Sequence, residues 1–128
     1  MSPNDSRRPV RARRGARAER VARRYLRAIG MTVSDQNVRV GYLEIDIVAR
    51  DGASMVVVEV RCRGPGAWLR SLDTLDRVKR SRLRRAAAIL WSRKWRRLPG
   101  IERVRFDVVA VDLDGDQAPQ VEHIRAAF

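Results

Sequence analysis

Apolar residues recur at helical spacing early in the chain. Ala18, Val21, Ala22, Tyr25, Leu26 and Ile29 fall on one face, and Arg13, Arg17, Arg20, Arg24 and Arg27 on the other. The spacing predicts a helix over residues 10–29, with Gly30 as its stop. Residues 31–38 read as a strand with irregular ends. Over residues 40–50 the period becomes two. Leu43, Ile45, Ile47 and Ala49 are expected on one side, and Tyr42, Glu44, Asp46 and Val48 on the other. Asp51-Gly52 is a hairpin signal, and residues 54–63 form the return strand. Met55, Val56, Val57 and Val58 are continuously apolar, as suits a central strand covered on both faces.

Gly64-Pro65-Gly66 opens a loop that ends near Ser71. A second helix is expected over residues 76–97, with Leu83, Ala86, Ala87, Leu90 and Trp91 toward the core and Pro99-Gly100 beyond its end. A strand over residues 103–113, a turn at Asp114-Gly115 and a short strand over residues 119–124 complete the chain. Residues 1–9 lack periodicity and read as a disordered basic arm, leaving residues 10–128 as one domain. The element order α-β-β-β-α-β-β predicts an α/β protein with one mixed central sheet flanked by two helices.

Charge narrows the function. The 128 residues carry a net +13, almost all of it through arginine. Such an excess suits a polyanion, because cationic side chains displace counterions condensed on phosphates. The bland alternative is a basic protein that is merely soluble. One cysteine, Cys62, excludes an internal disulfide and a thiolate cluster, and one histidine, His123, excludes a His-rich zinc site. No apolar run reaches membrane-spanning length, and the basic N-terminal stretch lacks the apolar core of a signal peptide. An Arg-rich transit peptide is conceivable, but the basic pattern continues into a helix, so a cytoplasmic protein is expected.

Acidic residues stand out against this background. Glu44 and Asp46 share a strand face, as do Glu59, Arg61 and Arg63 on the next strand. If the hairpin joins these strands, Asp46 and Glu59 come nearly side by side. Ionised carboxylates that close repel unless a cation lies between them. Two readings follow. The acids bind Mg²⁺ or Mn²⁺, which prefer oxygen ligands, with the Val60 carbonyl completing the set. Alternatively they pair with Arg61, Arg63 or Arg105 in a structural network. Arg61 would steady a phosphate but cannot act as a base.

The stretches Leu43-Glu44-Ile45-Asp46-Ile47-Val48-Ala49 and Val57-Val58-Glu59-Val60-Arg61-Cys62-Arg63 resemble the YraN-like family of small bacterial proteins. Gly15-Ala16-Arg17-Ala18-Glu19, Ala22 and Tyr25-Leu26 resemble its opening helix. Asn37, Lys79, Arg105-Phe106-Asp107-Val108-Val109, His123-Ile124 and Phe128 also match, so only the first dozen residues lie outside. The resemblance implies a restriction-endonuclease-like fold of the PD-(D/E)XK type, similar to Holliday-junction resolvases. It implies that Asp46 is the motif aspartate, Glu59 the second acid, and Arg61 the residue in the usual lysine position. Glu19 would match the helical glutamate that reaches the metal in many such nucleases. Two departures stand out. Leu43 replaces a frequent glycine, and Arg61 keeps the charge of a lysine without its compactness.

The expected function is a metal-dependent endonuclease acting on DNA, including branched or otherwise structured DNA. Asp46 and Glu59 would hold Mg²⁺ or Mn²⁺, Glu19 or Glu44 would orient water, and Arg61 would steady the charge. The alternatives are a nucleic-acid-binding module that does not cut, and a basic adaptor for a protein complex or ribosomal RNA. Arg63, Lys79, Arg80 and Arg82 are candidate phosphate contacts, against the plainer reading of a solvated helix face. Arg105 and Asp107 are expected to form a structural ion pair. His123 is expected as a satisfied surface residue, Cys62 as a buried filler, and Trp68 as packing on a helix rather than stacking on a base. A homodimer is the expectation by analogy with resolvases, which need two symmetric sites.

Overall fold

Ala18, Ala22 and Leu26 are fully buried, and their spacing sets the inner stripe of α1 (Val10–Ala28). Val21 and Tyr25 flank that stripe, while Ile29 lies beyond the helix end and is 40% exposed. Gly30 takes a positive φ of 96°, and the chain turns there so that the Met31 amide donates back to Leu26. Arg17, Arg20, Arg24 and Arg27 are exposed on the far face. The computed structural model describes residues 10–63, 76–113 and 118–128. The basic arm, the Gly64–Ser71 loop, Trp68 and the Asp114-Gly115 turn lie outside the described residues.

Strands β1 (Thr32–Val40), β2 (Leu43–Asp51), β3 (Ser54–Arg63), β4 (Arg103–Asp112) and β5 (Gln120–Ile124) form one sheet in sequential order. β1, β2 and β3 are antiparallel neighbours, β3 and β4 are parallel, and β5 returns antiparallel to β4. The parallel pair requires a crossover, which α2 (Arg77–Arg93) provides. The mixed sheet between two helices is therefore as the element order predicted, in the α/β, restriction-endonuclease-like arrangement. β3 is the central strand, and Met55 to Val58 are buried on both faces. Val56 and Val58 join the cluster under α1; Met55 and Val57 join Leu83, Ala86 and Ala87 under α2.

Element ends differ from the sequence reading in two places. β1 runs on to Val40 because Gly41, at a φ of 63°, and Tyr42 make the turn. α2 stops at Arg93, and a separate 3-10 turn, Trp95–Arg97, swings Trp95 into the core at 2% exposure. Asp76 caps the start of α2 by accepting the Lys79 amide at 2.8 Å. Among the described residues, no helix is long and apolar enough to cross a membrane.

A polar network ties the C-terminal strands to α1. Asp107, fully buried, accepts from Arg105 Nε at 2.9 Å and Nη2 at 3.0 Å, and from the Ala126 amide at 3.0 Å. His123 Nε2 lies 2.8 Å from the same carboxylate, and its Nδ1 lies 3.1 Å from the Tyr25 hydroxyl. The Arg105–Asp107 pair is as expected. His123, by contrast, is satisfied but buried, because the Tyr25 ring packs edge-on against it. Burial alone would raise the Asp107 carboxyl; His123 and Arg105 outweigh it and hold the group at about 2.

That depressed value stabilises the folded protein above the unfolded carboxylate range, near about 3.9, and the contribution fades as the pH falls toward about 2. Asp107→Ala should cost about 3–5 kcal/mol near neutral pH, since it strands Arg105 and His123. Thermal melts should show the gap between variant and parent closing over that acidic interval. A gap independent of pH would mean that the carboxylate is not charged in the fold.

Candidate active site

The hairpin between β2 and β3 brings the acids together, and a break in the sheet gives them room. The β2–β3 ladder ends at Ile47 opposite Val58. β3 continues beyond that point beside β4, as far as Arg63 opposite Asp112. Where the next cross-strand link would fall, the Asp46 carboxylate accepts the Val60 amide at 2.9 Å. A side chain has replaced backbone as the acceptor, so the strands fork at Asp46.

β2 changes its facing at the same residue. Leu43 and Ile45 pack under α2, whereas Ile47 and Ala49 pack under α1. The strict alternation expected across residues 43–49 is therefore broken. The neighbouring strand shows why. Gln36 faces Ile47 and Val38 faces Ile45, so Asn37 stands across from Asp46, and Asn37 has a left-handed φ of 50°. Asparagine tolerates that conformation better than most residues. The local turn of both strands lifts the Asp46 carboxylate out of the regular face pattern.

Two strand acids and one helix acid feel one another's charge here. Asp46 is half-buried, Glu59 is 3% exposed, and Glu19 reaches in half-buried from α1. Desolvation, then the charge of Glu59, push the Asp46 carboxyl up to about 7, with a further contribution from Glu19 and opposition from the Val60 amide and Lys79. Glu19 is raised as well, first by desolvation, with Arg23 opposing and Glu44 and Glu59 adding to it. Glu44 is exposed at the rim.

The cation beside Glu59 comes from α2. Lys79 Nζ lies 2.7 Å from Glu59 Oε1, while Arg61 Nε stands at 4.0 Å from the same oxygen. Arg61 Nε is buried and has no hydrogen-bond partner among the described residues. Sequence reasoning placed Lys79 among the phosphate contacts of a basic run and missed this pair. The available signal was its spacing, one turn before the buried Leu83 and three residues after the capping Asp76. Arg105 pairs with Asp107 and with Asp51, so it does not neutralise the cluster.

The remaining candidates separate. Arg82 lines a cleft with Lys79 and Glu44. Arg80 lies over the Phe128 ring at 5.8 Å. The Arg63 side chain lies outside the described residues. Cys62 is exposed rather than a buried filler, because β3 there runs past the end of its ladder with β2.

The chain matches the model of the family described as "Uncharacterised protein family UPF0102" over residues 18–111. The chain belongs to the UPF0102 (YraN-like) family. It is 46% identical over 114 residues to a UPF0102 protein of Sorangium cellulosum, covering 89% of this chain and 79% of the relative. It is 41% identical over 115 residues to one of Shewanella pealeana, covering 89% and 94%, and 36% identical over 118 residues to one of Pseudomonas aeruginosa, covering 90% and 91%. The UPF0102 match spans the whole acidic site, from Glu19 to Lys79, and the strand that carries Asp107.

Among the described residues, no three His, Cys, Asp or Glu side chains stand together ready to hold a metal. The donor chemistry nonetheless fits a hard divalent cation that keeps several waters and takes only one or two carboxylates from the protein. Asp46 and Glu59 are mutually repelling oxygens in a desolvated fork, and the carbonyl of Val60 is in the strand segment beside them.

A carboxyl with a folded value near 7 penalises folding once the unfolded chain has ionised. Stability from this group is full below about pH 4 and is lost as the pH rises through about 7. Asp46→Asn keeps an acceptor for the Val60 amide and removes the charge. The variant should be more stable than the parent at pH 8, by on the order of 2 kcal/mol, and equal to it near pH 4. Denaturant melts at the two pH values decide this; equal destabilisation at both would contradict the desolvated, crowded carboxylate.

Proposed function

We propose that this UPF0102 protein is a metal-dependent nucleic-acid endonuclease of the PD-(D/E)XK type, with DNA as its substrate. The observation that carries the reading is the fork at Asp46, where two strand carboxylates crowd each other beside Lys79 and Arg61, within electrostatic reach of a helical glutamate, in a basic protein. Asp46 and Glu59 would hold Mg²⁺ or Mn²⁺, with the Val60 carbonyl as a third protein oxygen. Such an ion, when bound, lowers the pKa of water and stabilises charge on a phosphoryl group.

The chain's own residues supply the rest. The Val60 amide fixes one oxygen of Asp46 and leaves the other for binding. Lys79 orients Glu59 and brings positive charge to the place where a phosphate would lie. Arg61 has an unsatisfied buried N–H at the same place, and a phosphate oxygen would satisfy it. Glu19 lies on the opposite helix, burial raises its carboxyl above the ordinary range, and it would accept a proton from water. The exposed arginines of α1 and α2 give a sequence-independent grip on the backbone. A module that binds without cutting uses the same grip and differs only in lacking turnover.

Incubation with branched and linear DNA separates these readings. Cleavage is expected with Mg²⁺ or Mn²⁺ and not with EDTA. Asp46→Asn should lower the rate at least ~100-fold while DNA binding in EDTA persists. Lys79→Ala should lower it comparably, with partial recovery in Lys79→Arg. Binding should weaken steeply between low and moderate salt. An Asp46→Asn variant that cuts like the parent would end the nuclease reading.

A further inference from the structure

Tyr42 is fully exposed, with the highest exposure among the exposed large hydrophobic residues, on the two-residue turn that joins β1 to β2. Exposing a large aromatic at a tight turn gains nothing for the core. The turn places it at the mouth of a cleft of about 210 Å³ lined by Tyr42, Leu43, Glu44, Lys79, Arg82 and Leu83. Lys79 is shared. It is a wall of this cleft and the partner of Glu59 at 2.7 Å. The cleft therefore opens beside the acidic site rather than at a distance from it.

We infer that this cleft receives a single unpaired nucleobase of the DNA strand, adjacent to the phosphate that would lie beside Lys79. The inference rests on the nuclease reading for its substrate and adds where the neighbouring nucleotide goes. The volume is below the roughly 300–1,000 Å³ of pockets for larger ligands, and so suits one ring system. Tyr42 offers a ring face for stacking, which is tolerant of base identity. Leu43 and Leu83 form the apolar wall, with Leu83 itself buried in the core and so fixed in place. Arg82 and Lys79 take the flanking phosphates. Glu44 is an acceptor at the rim for an N–H on the edge of the base.

A base inside a continuous duplex is stacked on both sides and cannot enter such a cleft. A base at an overhang, flap or branch point is already released, so entry there avoids the unstacking cost. The cleft thus selects DNA with a nucleotide outside the duplex next to the cut.

The test uses the full chain in EDTA, so that it does not depend on cleavage. The probes are a duplex with a single-stranded overhang carrying 2-aminopurine at the junction, and a blunt duplex of the same sequence. The parent should bind the overhang more tightly and quench the 2-aminopurine. Tyr42→Ala should abolish the quench and bind the overhang roughly 5- to 100-fold more weakly, with the blunt duplex unchanged. Tyr42→Trp should restore both signals. Unchanged overhang binding in Tyr42→Ala, or an equal loss on both probes, overturns the inference. A Tyr42 effect in a protein that never cuts would leave the base cleft standing and remove the nuclease reading; cutting without a Tyr42 effect would do the reverse.

Discussion

One hydrogen bond organises the site. The Val60 amide needs an acceptor where β2 and β3 part, and the Asp46 carboxylate provides it at 2.9 Å. Backbone groups buried without partners are costly, so a sheet can open inside a core only where a side chain takes over. That substitution keeps β3 continuous with β4 while releasing β2, and it holds a carboxylate in a desolvated place where solvation alone would not keep it. Glu59, Lys79 and Arg61 gather around that fork, with Glu19 in electrostatic reach of it.

The molecule divides its ionisable groups between two contrasting networks. Around Asp107 every charge is matched: Arg105, His123 and a backbone amide converge on one carboxylate, which is held at about 2. Around Asp46 the charges are mismatched, and the carboxyl is pushed up to about 7. Both lie on the same sheet, and both involve residues of α1, Tyr25 in one and Glu19 in the other. The matched network secures β5 to β4 and so protects the core. The mismatched one costs stability and is the kind of perturbed cluster that functional sites retain.

Much of this was legible in the sequence, for reasons that can be named. The stripe of α1 and the uninterrupted apolar run of β3 follow from burial geometry, so helix, central strand and hairpin were recoverable from spacing. Asp46 and Glu59 were recoverable because charge in apolar strands is conspicuous. The break of alternation at Asp46 was not, since it depends on the left-handed Asn37 on the facing strand. The Lys79–Glu59 pair was hidden by its surroundings: among the six basic residues of 77–85, nothing local distinguishes the one that turns inward. His123 was read as a surface residue because its cover, Tyr25, lies on α1, far away in sequence.

If the site is as proposed, Asp46 and Glu59 share a single divalent ion at the fork. A manganese-soaked crystal, with data collected for anomalous scattering, addresses this directly. One anomalous peak is predicted between the two carboxylates, about 2.1 Å from an oxygen of each, with the Asp46–Val60 hydrogen bond still in place. A map with no peak there, or with Glu59 still bound only to Lys79 and manganese held elsewhere, would contradict it.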